Sequence, residues 1–148
     1  ALAMLNSCTR TPVLQPLGLS KGVDIMSPIR MSKIESSTRN ALAYKEAFNN
    51  LDVDAILAML SKDCVFEPIQ DITQIKGIEA IQAYLEEMFK SNEQAKIEIE
   101  EIFGMGLHVI IRWRMNNQRG VDIFKFRGEL ICEKRSYAKI QKIKPARC

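Results

Sequence analysis

The sequence predicts an α+β domain in which three helices and a short strand come first and a mostly antiparallel sheet follows. Apolar residues recur with the helical period of about 3.6 in three segments between residues 33 and 90. From Lys96 onward, apolar and polar residues alternate instead, which is typical of strands that bury one face. Helices with one apolar stripe are then expected to lie against one side of a single curved sheet.

Length and composition bound the organisation of the chain. A chain of 148 residues with 47% hydrophobic residues suits one compact domain with a substantial core. We predict an N-terminal arm or leader over residues 1–32, the domain over residues 33–140, and a basic C-terminal tail over residues 141–148. No apolar run approaches the roughly 18 residues that a membrane-spanning helix needs, so no membrane partner is predicted.

The predicted arm differs in composition from the rest of the chain. It contains three prolines, two glycines and no acidic residue before Asp24, and it has neither helical nor strand periodicity. It lacks the continuous apolar core of a secretory signal and the amphipathic, arginine-rich character of a transit peptide. Met31 would also make a natural translation start, in which case the arm is translated upstream sequence.

Cysteine and histidine usage predicts neither a metal site nor a cofactor. The four cysteines, Cys8, Cys64, Cys132 and Cys148, show no C-x-x-C or zinc-ligand spacing. Scattered cysteines suit a reducing compartment, so a cytoplasmic protein is predicted. The single histidine, His108, lies in an apolar strand without a nucleophile signature nearby, which indicates a structural residue rather than a member of a catalytic triad.

Basic residues dominate the sheet end of the chain, from Arg112 to Arg147. A basic surface with an exposed aromatic side chain is one way to bind nucleic acid, and Trp113 stands between Arg112 and Arg114. The alternation favours a different interpretation, in which these two arginines face water and Trp113 belongs to an apolar face. This pattern therefore disfavours nucleic acid as a partner.

The first predicted helix starts near Lys33 or Ser36 and ends at Asn49. Hydroxyl side chains at its start can cap it. Its inward face turns Tyr44 toward the core. This face is formed by Ala41, Tyr44, Phe48 and Leu51.

Further elements connect this helix to the sheet. A short helix capped by Asp52 is followed by a strand over residues 63–67. A third helix over residues 77–90 carries one apolar stripe. Two strands follow over residues 96–103 and 107–115, with a glycine-rich turn between them.

A β-hairpin is predicted over residues 119–137, with the pair Gly128–Glu129 at its turn. β-branched and aromatic residues populate both of its strands. Glycine at the first turn position reaches the positive φ that a type II′ turn requires. Alternation places Asp122 on the same face as Phe124 and Phe126.

The carboxyl group of Asp122 has two interpretations, and the sequence leaves both open. If Arg127 pairs with Leu130 across the turn, Arg135 stands opposite Asp122 and the two form a cross-strand ion pair. Alternatively, Asp122 points into an apolar cavity, where desolvation raises the pKa of a carboxyl group and keeps it protonated as a hydrogen-bond donor.

The same hairpin resembles the end of a SnoaL-like domain. Its first strand reads Val-Asp-x-Phe-x-Phe from Val121, and its second reads Ile-x-Glu-x-Arg-x-Tyr from Ile131. SnoaL-like domains belong to the nuclear-transport-factor-2-like superfamily, a cystatin-like fold that includes ketosteroid isomerase and limonene epoxide hydrolase. The resemblance extends from about Lys33 to about Ile140. It implies a cone-shaped sheet with three helices on its concave side, a ligand cavity between them, and a homodimer formed through the outer face of the sheet.

The ketosteroid isomerase pattern implies three site residues. Its helix tyrosine matches Tyr44 and its protonated strand aspartate matches Asp122, and in that family both donate hydrogen bonds to the substrate oxygen. Its base belongs to an Asp-Pro pair at the end of the first strand, which matches Glu67 and Pro68 with an offset of one residue. The epoxide hydrolase pattern fits less well, because its last catalytic carboxylate falls on Ser136.

The function implied by the resemblance is binding of an apolar small molecule, with isomerisation or cyclisation by proton transfer next to a carbonyl group. Phe66, Trp113 and Phe124 are the expected pocket residues. The alternative is a non-catalytic ligand-binding or dimerisation module in which Asp122 pairs with an arginine. The superfamily includes enzymes, binding proteins and dimerisation modules, so the fold alone does not separate these functions.

Overall fold

The computed structural model describes residues 28–91 and 96–140. The helices are α1 (Pro28–Asn49), α2 (Val53–Ala58) and α3 (Ile78–Ser91). The strands are β1 (Leu60–Glu67), β2 (Ile75–Lys76), β3 (Glu98–Met105), β4 (His108–Met115), β5 (Gln118–Arg127) and β6 (Leu130–Ile140). The predicted tail and all but the last residues of the predicted arm lie outside the described residues.

The six strands form one curved, open sheet in the order β2-β1-β6-β5-β4-β3. β1 runs parallel to β6, and all other neighbours are antiparallel. Helix α1 contacts β3 and β4, and α3 contacts β1. The predicted α+β class and mostly antiparallel sheet are confirmed. The short edge strand β2, which follows a loop rich in polar residues, was not predicted.

Helix α1 begins at Pro28, five residues before the predicted boundary at Lys33. Proline is favourable in the first helical turn because its fixed φ suits the helix and its missing N–H has no helical partner there. Helix α2 begins as predicted, since the Asp52 side chain accepts a hydrogen bond of 3.0 Å from the backbone N–H of Ala55. No helix within the described part of the chain is long and apolar enough to cross a membrane.

The core lies between the helices and the inner face of the sheet. Residues that the helical and strand periods place inward are buried, namely Ala41, Tyr44, Leu60, Phe66, Ile81, Leu85, Ile111, Trp113 and Phe124. Phe48 is partly buried against this cluster. Gly104 lets α1 approach β3, because a Cβ atom at this position would come within 2.5 Å of Cγ2 of Ile34. The inner face of β5 also contains Asp122, a carboxylate in an otherwise apolar layer.

A β-bulge sets the register of the last hairpin. Arg127 pairs with Leu130 as predicted, and Gly128 in the turn has a φ of +63°. After Phe126 pairs with Ile131, however, Lys125 pairs with Glu133, so that Cys132 is an extra residue on β6.

This bulge overturns the predicted ion pair between Asp122 and Arg135. Asp122 stands opposite Ser136, whereas Arg135 stands opposite Ile123. Arg135 is exposed on the outer face of the sheet, where its guanidinium pairs with Glu133. The prediction assumed an unbroken ladder, and one extra residue moves every following side chain of β6 to the opposite face.

Candidate functional site

A cavity of about 80 Å³ lies between α1, α3 and the inner face of the sheet. Its walls are mostly aromatic and aliphatic, and its polar groups come from α1, β5 and β6. The residues that line it include Tyr44, Lys45, Phe66, Trp113, Asp122 and Lys134. The sequence left two interpretations of Asp122 open. The structure shows the one in which its side chain points into a cavity.

Asp122 is the polar centre of this cavity. It projects from β5 and is 2% exposed. Its Oδ2 forms an ion pair with Nζ of Lys45 and lies 3.6 Å from Nζ of Lys134. Its Oδ1 is buried and has no hydrogen-bond partner among the described residues. One carboxylate thus faces two ammonium groups and keeps one free acceptor atom.

The two lysines determine the protonation state of Asp122. Burial by itself raises the pKa of this carboxyl group, but the charges of Lys134 and Lys45 outweigh burial and hold the pKa well below its usual range. Asp122 is therefore a carboxylate that accepts hydrogen bonds. The prediction that Asp122 is a protonated donor with a raised pKa is wrong, because it allowed for the apolar surroundings but not for the lysines.

Lys45 crosses the core from α1 to reach this carboxylate. It is 2% exposed. Its Nζ lies 5.7–6.0 Å from the ring centroids of the surrounding aromatic residues, which are Tyr44, Phe48, Trp113 and Phe124. Burial lowers the pKa of Lys45 to about 8, against the opposing attraction of Asp122. A fraction of this amine is consequently neutral near physiological pH.

Lys134 approaches the cavity from the other side, on β6. The bulge at Cys132 turns Lys134 and Ser136 inward, and the Lys134 ammonium donates a hydrogen bond of 2.7 Å to Oγ of Ser136. The same Nζ lies 5.4 Å from the ring centroid of Phe66 and 5.8 Å from that of Tyr44. Attraction between an ammonium and an aromatic face supports this position.

Tyr44 faces inward as predicted and is 1% exposed. Its ring packs edge to face on Phe124, with centroids 5.2 Å apart, and on Phe66, with centroids 6.3 Å apart. Burial, together with the negative charge of Asp122, raises the pKa of Tyr44 well above its usual value. Tyr44 is accordingly a neutral phenol that can donate a hydrogen bond beside the two lysines.

Glu67, the predicted base, is not brought to this site. It neighbours Phe66 on β1, and successive residues of a strand point to opposite faces, so Phe66 lines the cavity and Glu67 does not. Its carboxylate lies 3.8 Å from Nε of Arg135 on the outer face. The offset of one residue from the isomerase pattern therefore places the Glu67 side chain on the opposite face of the sheet from the cavity.

The three predicted pocket residues divide between wall and support. Phe66 and Trp113 line the cavity, whereas Phe124 is fully buried behind Tyr44. The Trp113 ring lies directly over the backbone of its cross-strand partner Gly120, where a Cβ atom would overlap the indole. The Nε1 of Trp113 is buried without a hydrogen-bond partner among the described residues. Since Trp113 is buried, it does not offer a stacking surface to nucleic acid.

Sequence reasoning missed both lysines of the site. A signal for Lys45 was present, because Ala41, Lys45 and Phe48 stand at i, i+4 and i+7 and share the inward face of α1. A lysine within an apolar stripe indicates a buried, paired cation. Lys134 had no such signal, since only the bulge turns it inward.

Other polar residues of the described chain do not add to the site. His108 is an exposed residue of β4. Burial raises the pKa of the Cys64 thiol to about 12, which makes it a poor nucleophile. Among residues 28–91 and 96–140, no group of three histidine, cysteine, aspartate or glutamate side chains could hold a metal ion.

Comparisons with known proteins agree on the fold. The family model for the SnoaL-like domain matches residues 41–134, which is more than half of the chain. A comparison with proteins of curated function gave no match.

Solved structures with this fold cover most of the described residues. An NTF2-like protein of unknown function from Mesorhizobium loti is 24% identical, with a TM-score of 0.63 over 72% of this chain and 93% of that chain. A SnoaL-like protein of unknown function from Burkholderia thailandensis is 16% identical, with a TM-score of 0.65 over 71% and 96%. An LEH-like epoxide hydrolase from M. tuberculosis is 20% identical, with a TM-score of 0.57 over 71% and 84%.

Proposed function

This chain belongs to the SnoaL-like family of the nuclear-transport-factor-2-like superfamily, and we propose that it binds a compact small molecule whose apolar body carries one carboxylate or carbonyl oxygen. The main observation in support of this proposal is that the ammonium groups of Lys45 and Lys134 both lie beside the single carboxylate of Asp122. Two ammonium groups and one carboxylate leave one positive charge in excess between apolar walls. A buried excess charge favours a ligand of opposite charge or a strong hydrogen-bond acceptor.

Two unpartnered atoms support a polar end on this ligand. The Nε1 of Trp113 is a donor and the Oδ1 of Asp122 is an acceptor, and both are buried without partners among the described residues. Buried polar groups are usually satisfied, so an unsatisfied donor and acceptor around one cavity favour a ligand that satisfies them. A carboxylate or carbonyl oxygen can accept from Trp113, and a hydroxyl group can donate to Asp122.

The cavity volume limits the size of the ligand. At about 80 Å³ the cavity is small beside the roughly 300–1,000 Å³ of typical ligand pockets. An engineered cavity of about 150 Å³ accepts benzene. Short-chain carboxylic acids, keto acids and small carbonyl compounds are therefore the proposed ligand class.

Calorimetric titration tests this proposal with three ligands of similar size, namely pyruvate, propionate and 1-propanol. We expect both anions to bind and the alcohol to bind at least tenfold more weakly. Lys134→Met should remove the preference for anions, because it keeps an apolar stem and removes the charge. Lys139→Met is the matched control, since Lys139 is an exposed residue of the same strand. Equal binding of the alcohol and the anions, or equal effects of the two variants, would refute the proposal.

A second candidate function is proton transfer next to the carbonyl group of the bound ligand. The observation in its favour is the partly neutral amine of Lys45, which can accept a proton, beside the donors Tyr44 and Lys134. Asp122 is a weak base here, because its pKa is held low. Exchange of carbon-bound protons of pyruvate for deuterium, followed by NMR, tests this function, and exchange no faster than in buffer would refute it.

The proposed assembly is a homodimer through the outer face of the sheet. Phe103, Ile110 and Ile123 occupy adjacent positions on β3, β4 and β5 and form an apolar row on that face. Phe103 is 53% exposed. Light scattering should give a dimer for the wild type and a monomer for Ile110→Lys, and a wild-type monomer at micromolar concentration would contradict the assembly.

A further inference from the structure

The amine of Lys45 combines three properties that seldom occur together in a lysine. It lies in the wall of a cavity, it is almost fully removed from water, and aromatic rings surround it at 5.7–6.0 Å. Desolvation of this kind disfavours the ammonium form, and a neutral lysine amine is a nucleophile toward carbonyl carbon. The lowered pKa of Lys45, about 8, agrees with this geometry.

The second lysine removes the obstacle that usually keeps a buried ion pair charged. If Lys45 alone neutralised Asp122, loss of its proton would leave a buried carboxylate without a counter-charge, which is costly. The Nζ of Lys134 lies 3.6 Å from the same Oδ2 of Asp122. Asp122 therefore keeps a cationic partner while Lys45 is neutral.

We propose that Lys45 is a nucleophile that forms an imine with the carbonyl carbon of a small ketone, aldehyde or α-keto acid bound in the cavity. This inference rests on the proposed function, since the same cavity must first take up the ligand. It adds to that function that the ligand has a reactive carbonyl group and that Lys45 forms a covalent bond with its carbon atom.

The chemistry balances with the groups at the site. Lys45 first loses a proton to solvent, and its amine then adds to the carbonyl carbon, so that the carbonyl π electrons move to oxygen. The nitrogen proton moves to that oxygen and gives a carbinolamine. The C–O bond then breaks, and the hydroxyl group leaves as water with a proton from the Lys134 ammonium. The nitrogen lone pair forms the C=N bond of a cationic iminium, which pairs with Asp122, and Lys134 regains its proton from solvent.

Reductive trapping tests the proposal on the full-length wild-type protein. Pyruvate and sodium cyanoborohydride are added together, because the hydride reduces an iminium to a stable secondary amine. Intact-protein mass spectrometry counts the adducts, and peptide mapping locates them. We expect one adduct on Lys45, with an occupancy at least tenfold above that of any other lysine. An adduct on Lys134, or adducts spread over exposed lysines, would overturn the proposal.

Two further measurements separate failure of the imine from failure of binding. Lactate has the carboxylate of pyruvate but no carbonyl group, and its binding is measured by calorimetry without reductant. If no adduct forms on Lys45 while both acids bind, the imine proposal fails and the binding proposal stands. If neither acid binds and no adduct forms, both fail.

Variants give an independent check on the assignment to Lys45. Lys45→Arg keeps a cation beside Asp122 and should lose the adduct, and circular dichroism shows whether it keeps the fold. Lys134→Met keeps the nucleophile, and we expect it to retain the site of the adduct and to form it at least tenfold more slowly. An unchanged trapping rate in Lys134→Met would overturn the role of Lys134.

Discussion

Two of the ion pairs that strand β5 forms with other elements differ in almost every physical respect. Arg127 reaches Asp63 on β1, with Nη1 3.0 Å from both carboxylate oxygens, and both side chains are 65% exposed. Asp122 reaches Lys45 on α1, and both side chains are at most 3% exposed. Water screens the first pair, whereas the second pair must overcome the cost of removing two charges from water.

The difference shows that the effect of an ion pair on folding stability is separate from its effect on the chemical properties of a cavity. A buried pair is weak evidence for a gain in stability, because apolar residues of similar volume often serve the fold equally well. The pair of Lys45 and Asp122 changes the properties of the cavity instead, because it fixes an amine beside the ligand space. Burial lowers the pKa of that amine, and the neighbouring lysines lower the pKa of Asp122. The exposed pair also lowers the pKa of Asp63, but neither of its residues lines the cavity.

The largest expected effect comes from removing one member of the buried pair. Asp122→Leu leaves two ammonium groups near each other without a carboxylate. We expect a loss of about 3–5 kcal/mol in the free energy of unfolding. Urea denaturation followed by circular dichroism measures this loss. A loss below about 1 kcal/mol would show that, without Asp122, the lysines reach water or Lys45 becomes neutral.

The dependence of stability on pH should come next in size. Asp122 has a folded-state pKa below its ordinary value of 3.8, so the unfolded chain binds more protons, and the contribution of Asp122 is lost as the pH falls below about that value. Lys45 has a folded-state pKa of about 8 against an ordinary 10.5, so stability should rise as the pH rises between these values. Urea denaturation across both ranges measures these slopes. A Lys45→Met variant with an unchanged slope in the alkaline range would contradict this expectation.

A smaller effect is expected when both members of the buried pair are replaced. Lys45→Met combined with Asp122→Leu removes both desolvated charges and keeps similar volumes. The free energy of unfolding should then return to within about 1 kcal/mol of the wild type, whereas the adduct should be lost with the amine of Lys45. If the double variant were as unstable as Asp122→Leu, the buried pair would itself stabilise the fold.

The smallest effect is expected at the exposed pair. Asp63→Asn removes the charge and retains the shape of the side chain. We expect little change in the urea midpoint, and no change at 1 M salt, where the Debye length is about 3 Å. Asp122→Leu should keep its deficit at the same salt concentration. A deficit in Asp63→Asn that persists at high salt would mean that this pair is not screened.

The fold could be predicted because its signals are local and repeated. The apolar face of α1 around Tyr44, the stripe of α3 and the alternation in β4 each recur over several turns or residues, and one misplaced residue does not erase them. The turn at Gly128 was also predictable, since a positive φ favours glycine. The early start of α1 at Pro28 was missed, because a single proline in the first turn changes no periodicity.

The site was only partly predictable, because its chemistry depends on relations between distant segments. Tyr44, Phe66, Trp113 and Asp122 were placed at the cavity by helical and strand periodicity together with family resemblance. The protonation state of Asp122 was not predictable, because it is set by Lys134, which only the bulge turns inward, and by Lys45, 77 residues earlier in the chain. The placement of Glu67 failed for a related reason, since the period of a strand converts an error of one residue into an error of one face.

The bulge at Cys132 gives strand β6 two alternative phases within one sequence. In the observed phase, Lys134, Ser136 and Ala138 share the inner face. If Cys132 paired with Lys125 and no bulge formed, the same sequence would present Glu133, Arg135 and Tyr137 on the inner face. The cavity would then have a different charge pattern without any substitution. A hairpin of this construction can therefore exchange the whole polar wall of a pocket by gaining or losing a single bulge, which is a shorter route to a new ligand than replacing side chains one at a time.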